Sequence, residues 1–295
     1  MISIIITSFK EPKTIGKAIE SFINQDMQED YELYVIAPDD ETLNVAKTFQ
    51  KKNKRVKLLR DPGKGKTFAL NKFLPKMKGR VLILSDGDVY VSKNSVKSII
   101  KPFEDPKVGC VTGYPVSSDK KDNIFGYWSH LLCDSAHYLR KKRAEKKQFL
   151  ECSGYLWTFR SKVIERFPSD VAEDSIVPYL FAQKGYKIAY ASQAQVFVKF
   201  PNNLHDFIEQ KKRTTKAHEN LDKYIDVKKI PKMKTFKNEA KGSLFVLSYP
   251  QNIREVFYTL LLFPIRLYIW GLVFYHTHAK KDLYQDAWKR VESTK

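Results

Sequence analysis

The chain has 295 residues, enough for one large domain or a domain with an appendage. Lysine and arginine total 52 against 33 acidic residues, a formal charge of +19, so the surface seeks anions such as nucleotide phosphates or anionic lipid. No RNP motif or zinc-finger spacing accompanies that charge, so no nucleic acid is expected as partner, and three cysteines without a CxxC pair speak against a disulfide framework or zinc site and for a reducing compartment.

The opening MISIIITSF has no basic region before its apolar run and is read as a first strand, 2–7, and not as a signal peptide. A polar loop over 8–12 leads into a helix over 13–24, with Ile15, Ala18, Ile19, Phe22 and Ile23 at helical spacing. A second strand, 32–37, runs into Pro38, Asp39 and Asp40 and a helix through Thr48 and Phe49. A third strand, 56–59, is followed by a loop at 61–65 and a helix over 66–77. Residues 81–84, four apolar side chains after Gly79, read as a fourth strand buried on both faces. Strands alternating with helices imply βαβ units and a parallel sheet. Right-handed crossovers then gather the loops after the strands on one edge.

The fourth strand ends abruptly in Ser85, Asp86, Gly87 and Asp88. Ligands of open α/β sheets sit beyond the carboxyl ends of the strands. Two carboxylates one glycine apart repel unless a cation or donors hold them. An oxygen-rich, thiol-free site favours Mg²⁺ or Mn²⁺, completed by water and substrate phosphates. The plain alternative is a solvated turn, since Asp and Gly are ordinary turn formers. Gly63-Lys64-Gly65-Lys66-Thr67 is not a P-loop, because Arg60 stands where the Walker pattern needs its first glycine. A basic glycine loop opening a helix can still hold a diphosphate by its amides and Lys66.

Further along, a helix is expected over 95–103, a strand over 108–111 and a long helix over 124–145 with a basic end. Residues 151–160 read as a loop feeding a strand, with Gly154 allowing close approach of a ligand. Glu173 and Asp174 open a helix to Lys184, where acidic residues often serve only as caps and dipole partners. Two strands, 187–191 and 194–199, precede a polar helix over 201–221. Residues 224–243 read as a basic linker. The last segment, 244–295, contains the most apolar stretch, interrupted by Pro264 and Arg266. A spanning helix needs ~20 mostly apolar residues. The tyrosines and Trp270 of this stretch suit a membrane–water interface, with Arg266 at headgroup level. The alternative is an ordinary helix packed on the domain.

Taken together, several stretches resemble glycosyltransferase family 2, the inverting nucleotide-sugar enzymes with a GT-A fold. Thr7 to Glu11 is similar to the segment after the family's first strand. Asp39-Asp40 resembles the carboxylates that hold the nucleotide base, and Gly63-Lys64-Gly65-Lys66 with Ala69-Leu70-Asn71 resembles its "GKG…ALN" stretch. Asp86-Gly87-Asp88 resembles its DxD metal motif, Ser153-Gly154 its acceptor loop and Glu173-Asp174 its ED motif. Residues 201–213 resemble the helix ending in QxxRW of cellulose, chitin and hyaluronan synthase relatives, carried here by Gln210 and Arg213 with Thr214 in place of the tryptophan.

The resemblance implies an α/β, GT-A type nucleotide-binding domain over 1–223, with a central, mostly parallel sheet and C-terminal helices. It implies a metal-dependent transferase that moves a sugar from a nucleotide-diphosphate donor, UDP by family preference, to a glycan or lipid-linked acceptor. Asp174 would be the base, with Glu173 beside it. Asp86 and Asp88 would hold Mn²⁺ or Mg²⁺, and Thr7, Glu11, Asp39, Asp40, Lys66, Asp86, Gly154, Gln210 and Arg213 would meet the donor. The expected location is cytoplasmic, peripheral on an anionic membrane. The alternatives are a polyprenyl-phosphate sugar transferase and a non-catalytic sugar-nucleotide or membrane-binding module.

Overall fold

A computed structural model describes residues 1–241, 243–280 and 292–294. The first half follows the expected alternation. It comprises β1 (Ile2–Thr7), α1 (Ile15–Ile23), β2 (Tyr31–Ala37), α2 (Asp40–Lys52), β3 (Val56–Arg60), α3 (Lys66–Phe73) and β4 (Val81–Asp86). Then come β5 (Tyr90–Val91), α4 (Ser95–Ile100), β6 (Val108–Ser117), α5 (Ile124–Glu145), β7 (Leu156–Arg160), α6 (Glu173–Gln183), β8 (Lys187–Val198) and α7 (Leu204–Lys216). Two short helices, α8 (Phe236–Lys241) and α9 (Ser243–Ser248), lead to α10 (Ile253–Phe274).

The strands form one eight-stranded sheet in the order β3-β2-β1-β4-β7-β6-β8-β5. β1 to β4 pair in parallel, as do β6 and β8, whereas β7 runs antiparallel to both β4 and β6, and β5 antiparallel to β8. Leu156, at the start of β7, pairs with Ser85 at the end of β4. Residues 153–155 are thereby delivered to the edge that carries Asp86.

Unbroken apolar strands need cover on both faces, and they have it. Ile2, Ile4 and Ile6 face the cluster of Ile15, Ile19 and Phe22, while Ile5, Leu82 and Leu84 face Leu70, Phe73 and Trp157 on the other side. Each such aliphatic side chain contributes roughly 1.5–3 kcal/mol by leaving water. Gly79 is required where the chain enters β4, since a Cβ there would lie 2.3 Å from the Ser3 amide nitrogen.

Several boundaries differ from the sequence reading. Residues 187–199 hold one strand and not two. It pairs with β6 through Tyr190 and again from Gln195, across a register shift between Thr112 and Tyr114. That second pairing carries β6 on to Ser117, well beyond residue 111. The helix expected over 201–221 begins at Leu204, because the Asn203 side chain caps it by accepting from the Asp206 amide. The helix expected over 66–77 ends at Phe73 and continues as a 3₁₀ turn containing Pro75.

Residues 224–241, read as a basic linker, fold back over the domain: the Met233 amide donates to Glu151 Oε1 at 3.3 Å and to the Tyr179 hydroxyl oxygen at 3.0 Å. α10 packs one face on α5 and α7, burying Leu262, Ile269 and Val273 beside Trp128, Leu131 and Phe207. Trp128 Nε1 donates to the Tyr258 carbonyl at 2.7 Å. The opposite face exposes Ile253, Phe257, Leu260, Leu267, Tyr268 and Phe274. Residues Ile253–Thr277, with a mean hydropathy of 1.7, are long and apolar enough to cross a membrane by length and composition. Arg266 does not face outward with that surface; its guanidinium donates to both carboxylate oxygens of Glu239, at 2.6 and 2.7 Å.

Candidate active site

The site begins with the register of two strands. β1 and β4 pair so that Thr7 lies opposite Asp86, and Thr7 Oγ1 donates to Asp86 Oδ1 at 3.1 Å. The Gly87 amide then donates to the Thr7 carbonyl at 2.9 Å. A Cβ on Gly87 would lie 2.3 Å from Ser8 Oγ and 2.6 Å from Glu11 Oε2. Glycine thus lets the Asp86-Gly87-Asp88 turn press against the loop after β1, where Ser8 Oγ donates to Glu11 Oε2 at 2.6 Å. Asp88 and Glu11 both add to the effect of burial in raising the Tyr90 phenol above its ordinary value, so the two carboxylates sit within electrostatic reach of one ring.

Lys66 ties this edge to the opposite wall. Gly65, with φ of +111°, turns the chain into α3, and Lys66 is the helix's first residue. Its ammonium lies 2.7 Å from Asp86 Oδ1 and 2.9 Å from Glu173 Oε1. Burial opposes the charge, but Asp86 and Glu173 outweigh it and hold the Lys66 pKa well above its ordinary value. A buried cation shared by two carboxylates is costly to remove, because both are left uncompensated.

The carboxylates at the start of α6 are therefore not mere caps. Glu173 is buried and ion-paired to Lys66. Asp174 lies against Gly154, where a Cβ would come within 3.0 Å of its Oδ2. Burial, and then the neighbouring Glu173 charge, push Asp174 up to about 6, against the opposing pull of His218, Lys66 and Lys234. A carboxyl poised near neutrality beside a glycine-lined approach is suited to accept a proton.

Sequence reasoning missed the group behind Asp174. Glu151 is buried and accepts from the Tyr179 hydroxyl at 2.6 Å, with His218 Nε2 at 3.5 Å. Burial alone would raise it, but His218 and the hydrogen bonds bring it down to about 2. Ser175 Oγ lies 2.9 Å from His218 Nε2, and His218 Nδ1 lies 2.9 Å from the Thr214 carbonyl. One imidazole thus links α6, α7 and the loop before β7. No local pattern announces it, since its partners come from distant parts of the chain. The one available signal was a lone acid directly before the Cys-Ser-Gly loop.

A single cleft of about 1920 Å³ is lined by Thr7, Glu11, Lys66, Asp86, Asp88, Gly154, Glu173, Asp174, Gln210 and Arg213. Gln210 is buried in α7 and its Oε1 has no hydrogen-bond partner among the described residues. Asp39 and Asp40 do not line this cleft. Asp39 caps α2, accepting from the Thr42 amide at 2.9 Å and the Lys10 amide at 2.8 Å. Asp40 pairs with Arg60 at the outer surface.

The donor set fits a hard cation of the Mg²⁺ type. Among the described residues no group of three or more His, Cys, Asp or Glu side chains is arranged to hold a metal. A cation here would rest on Asp86 and Asp88 and take its other oxygens from water and a bound diphosphate, as Mg²⁺ does. Both the Thr7 and the Lys66 contacts of Asp86 fall on Oδ1.

Residues 1–217 match a family described as "Glycosyltransferase like family 2". An N-acetylglucosaminyltransferase of Rhizobium meliloti (strain 1021) is 22% identical over 238 residues, covering 73% of this chain and 55% of the relative. A hyaluronan synthase of Streptococcus pyogenes is 25% identical over 180 residues, covering 57% of this chain and 42% of the relative. The chain thus spans about half the length of these curated relatives. Among solved structures, a mannosyltransferase from Pyrobaculum calidifontis in complex with GDP-Man and Mn²⁺ superposes with a TM-score of 0.63 at 17% identity, covering 95% of this chain and 81% of that one. That likeness is one of fold, in agreement with the expected GT-A type α/β architecture.

Proposed function

The chain belongs to glycosyltransferase family 2, and from that premise we propose that it is a metal-dependent inverting enzyme that moves a sugar from a nucleotide-diphosphate donor, UDP-linked, to a hydroxyl of a glycan or lipid-linked glycan. One observation carries this reading. Asp86 and Asp88 at the end of β4 and Glu173 and Asp174 at the start of α6 open into the same cleft, bridged by Lys66. A leaving diphosphate needs positive charge on one side of the sugar carbon, and an attacking hydroxyl needs a base on the other.

Asp86 and Asp88 would hold Mn²⁺ or Mg²⁺, which when bound would neutralise the leaving diphosphate. Lys66 and Arg213 add positive charge at the same end. Asp174 takes the acceptor proton as the acceptor oxygen bonds to the anomeric carbon and the bond to the diphosphate breaks. Displacement from one face inverts that carbon. Glu173, ion-paired to Lys66, lies beside Asp174 and favours proton uptake there. Gly154 leaves room for the acceptor hydroxyl against Asp174.

The test is nucleotide release from UDP- and GDP-linked sugars with Mn²⁺, Mg²⁺ or a chelator. We expect release of UDP that requires the metal. Absence of both turnover and nucleotide binding with every donor overturns the reading.

The apolar outer face of α10 supports attachment to the cytoplasmic face of an anionic membrane. Lysines and arginines near such a surface add ~1 kcal/mol each, a salt-sensitive term. We expect the protein in the membrane fraction and its release by high salt or carbonate. Retention through carbonate points to a span, and full solubility without a wash removes the membrane from the account.

A further inference from the structure

Glu151 and His218 stand against the start of α6, and neither is needed to hold the donor or to take the acceptor proton. Their side chains are only 10% and 13% exposed. A carboxylate at that depth is costly unless it is paired and hydrogen-bonded. Oε1 accepts from the Tyr179 hydroxyl at 2.6 Å and from the Met233 amide at 3.3 Å, and Oε2 faces His218 Nε2 at 3.5 Å. Held down at about 2, Glu151 stays ionised.

The imidazole is fixed from its other side. His218 Nδ1 lies 2.9 Å from the Thr214 carbonyl, which can only accept, so Nδ1 carries a hydrogen. The same carbonyl takes Lys234 Nζ at 2.9 Å. Nε2 meets Ser175 Oγ at 2.9 Å as well as Glu151. Each ring nitrogen therefore meets oxygen, one of them a carboxylate oxygen, and an imidazolium with its two donors fills that setting.

The anchors of this ring adjoin three motifs of the cleft. Ser175 follows Asp174, Thr214 follows Arg213, and Glu151 shortly precedes Ser153-Gly154. Arg140 of α5 closes the corner, its Nε donating to the Glu151 carbonyl at 3.5 Å. Asp174 meets charge from several of these elements. Burial and Glu173 resist its ionisation, while His218, then Lys66 of α3 and Lys234 of the returning segment, favour it. The Cys152 thiol, pushed up by burial and by Asp174 itself, adds no charge there.

We propose that His218, anchored on Glu151, is the positioning residue of the base: it sets the first turn of α6 against the Gly154 loop and the Arg213 turn, and its charge keeps Asp174 open to the acceptor proton. The proposal rests on the reading of Asp174 as the base and adds the group that keeps it ionised near neutral pH. Without that charge, burial and Glu173 act with less opposition, and Asp174 holds its proton to higher pH.

The test is His218→Gln, which keeps polar atoms beside Thr214 and Ser175 but no charge. The readout is nucleotide release from a UDP-linked sugar across pH, with Mn²⁺ present. The rise of turnover with pH, centred at about 6 in the wild type, is expected to move up by about one unit. Turnover then drops about fivefold at about pH 6 and less than about twofold at about pH 9. A drop of equal size at every pH, or an unchanged midpoint, overturns the positioning role. His218→Gln leaves Glu151 uncompensated, so Glu151→Gln is combined with it in a double variant that lacks the orphaned charge. The double variant carries the same expected shift, since His218, and not Glu151, is among the groups that bear most on Asp174. In urea the double variant is expected to be at least as stable as either single one. Losses that simply add overturn the anchoring of His218 on Glu151. A wild-type protein that neither binds UDP nor releases it from any donor overturns the transferase reading, and the catalytic part of this proposal with it; the urea cycle still decides the pair.

Discussion

Replacing Asp174 by asparagine lowers turnover about 10²–10⁴-fold, the usual contribution of a general base, while nucleotide affinity stays close to that of the wild type. The substitution keeps shape and removes basicity. Donor binding is assigned to the Asp86 end of the cleft, so only the proton-accepting step is touched. The wild-type rate should also rise with pH through about 6, where burial and Glu173 place the Asp174 titration. The variant should lose that rise.

Stability separates this role from a structural one. The folded-state pKa of Asp174 is raised from 3.8 to about 6, so the folded protein binds this proton more tightly than the unfolded chain. The resulting stabilisation is full below 3.8 and is lost as pH rises through about 6. Above that, wild type carries a buried charge that asparagine lacks, and Asp174→Asn should unfold in urea at no lower concentration than wild type. Wild-type turnover in the variant would reduce Asp174 to a helix-end residue. Collapse of nucleotide affinity would show that it shapes the donor pocket instead.

What could be read from the sequence divides by the range of the interactions involved. β1 and β4 were legible because an unbroken apolar run is a local property, and a strand buried on both faces imposes it. Asp86, Asp88, Lys66, Glu173 and Asp174 were legible as motifs at the ends of such elements, and the structure brings them into one cleft. The Lys66 bridge between Asp86 and Glu173 was not legible, since it depends on α3 and α6 meeting over the sheet edge. Asp39 shows the converse. Its position after β2 suggested a ligand role, and in the structure it also accepts from the Thr42 and Lys10 amides. A short polar residue before a helix carries both readings, and only the fold shows which bonds are made. Lys234 was hidden for a third reason. A lysine-rich stretch with few apolar residues looks solvated, and nothing local shows that it folds back across the cleft.

The second large effect concerns the metal. Asp88→Ala should abolish the gain in UDP affinity that Mn²⁺ confers, a loss of about 10²-fold or more. Groups that merely support metal ligands are worth 10–100-fold in affinity, and a protein ligand should be worth at least that much. The site has little redundancy: among the described residues no third His, Cys, Asp or Glu joins Asp86 and Asp88 in a metal-binding group. Asp86→Ala is the less informative variant, because it also removes a partner of Lys66 and so disturbs Glu173 beside the base. Asp88 lies in the turn beyond β4, where Gly87 makes the close approach to Ser8 and Glu11, so Asp88→Ala should still fold, which an unchanged urea midpoint would show. Calorimetry of UDP with Mn²⁺, and with chelator in its place, gives the comparison. The chelated wild type and the variant should then bind UDP alike, since each lacks the same cation bridge. A variant that still gains affinity from Mn²⁺ would remove Asp88 from the metal site and with it the role assigned to this end of β4.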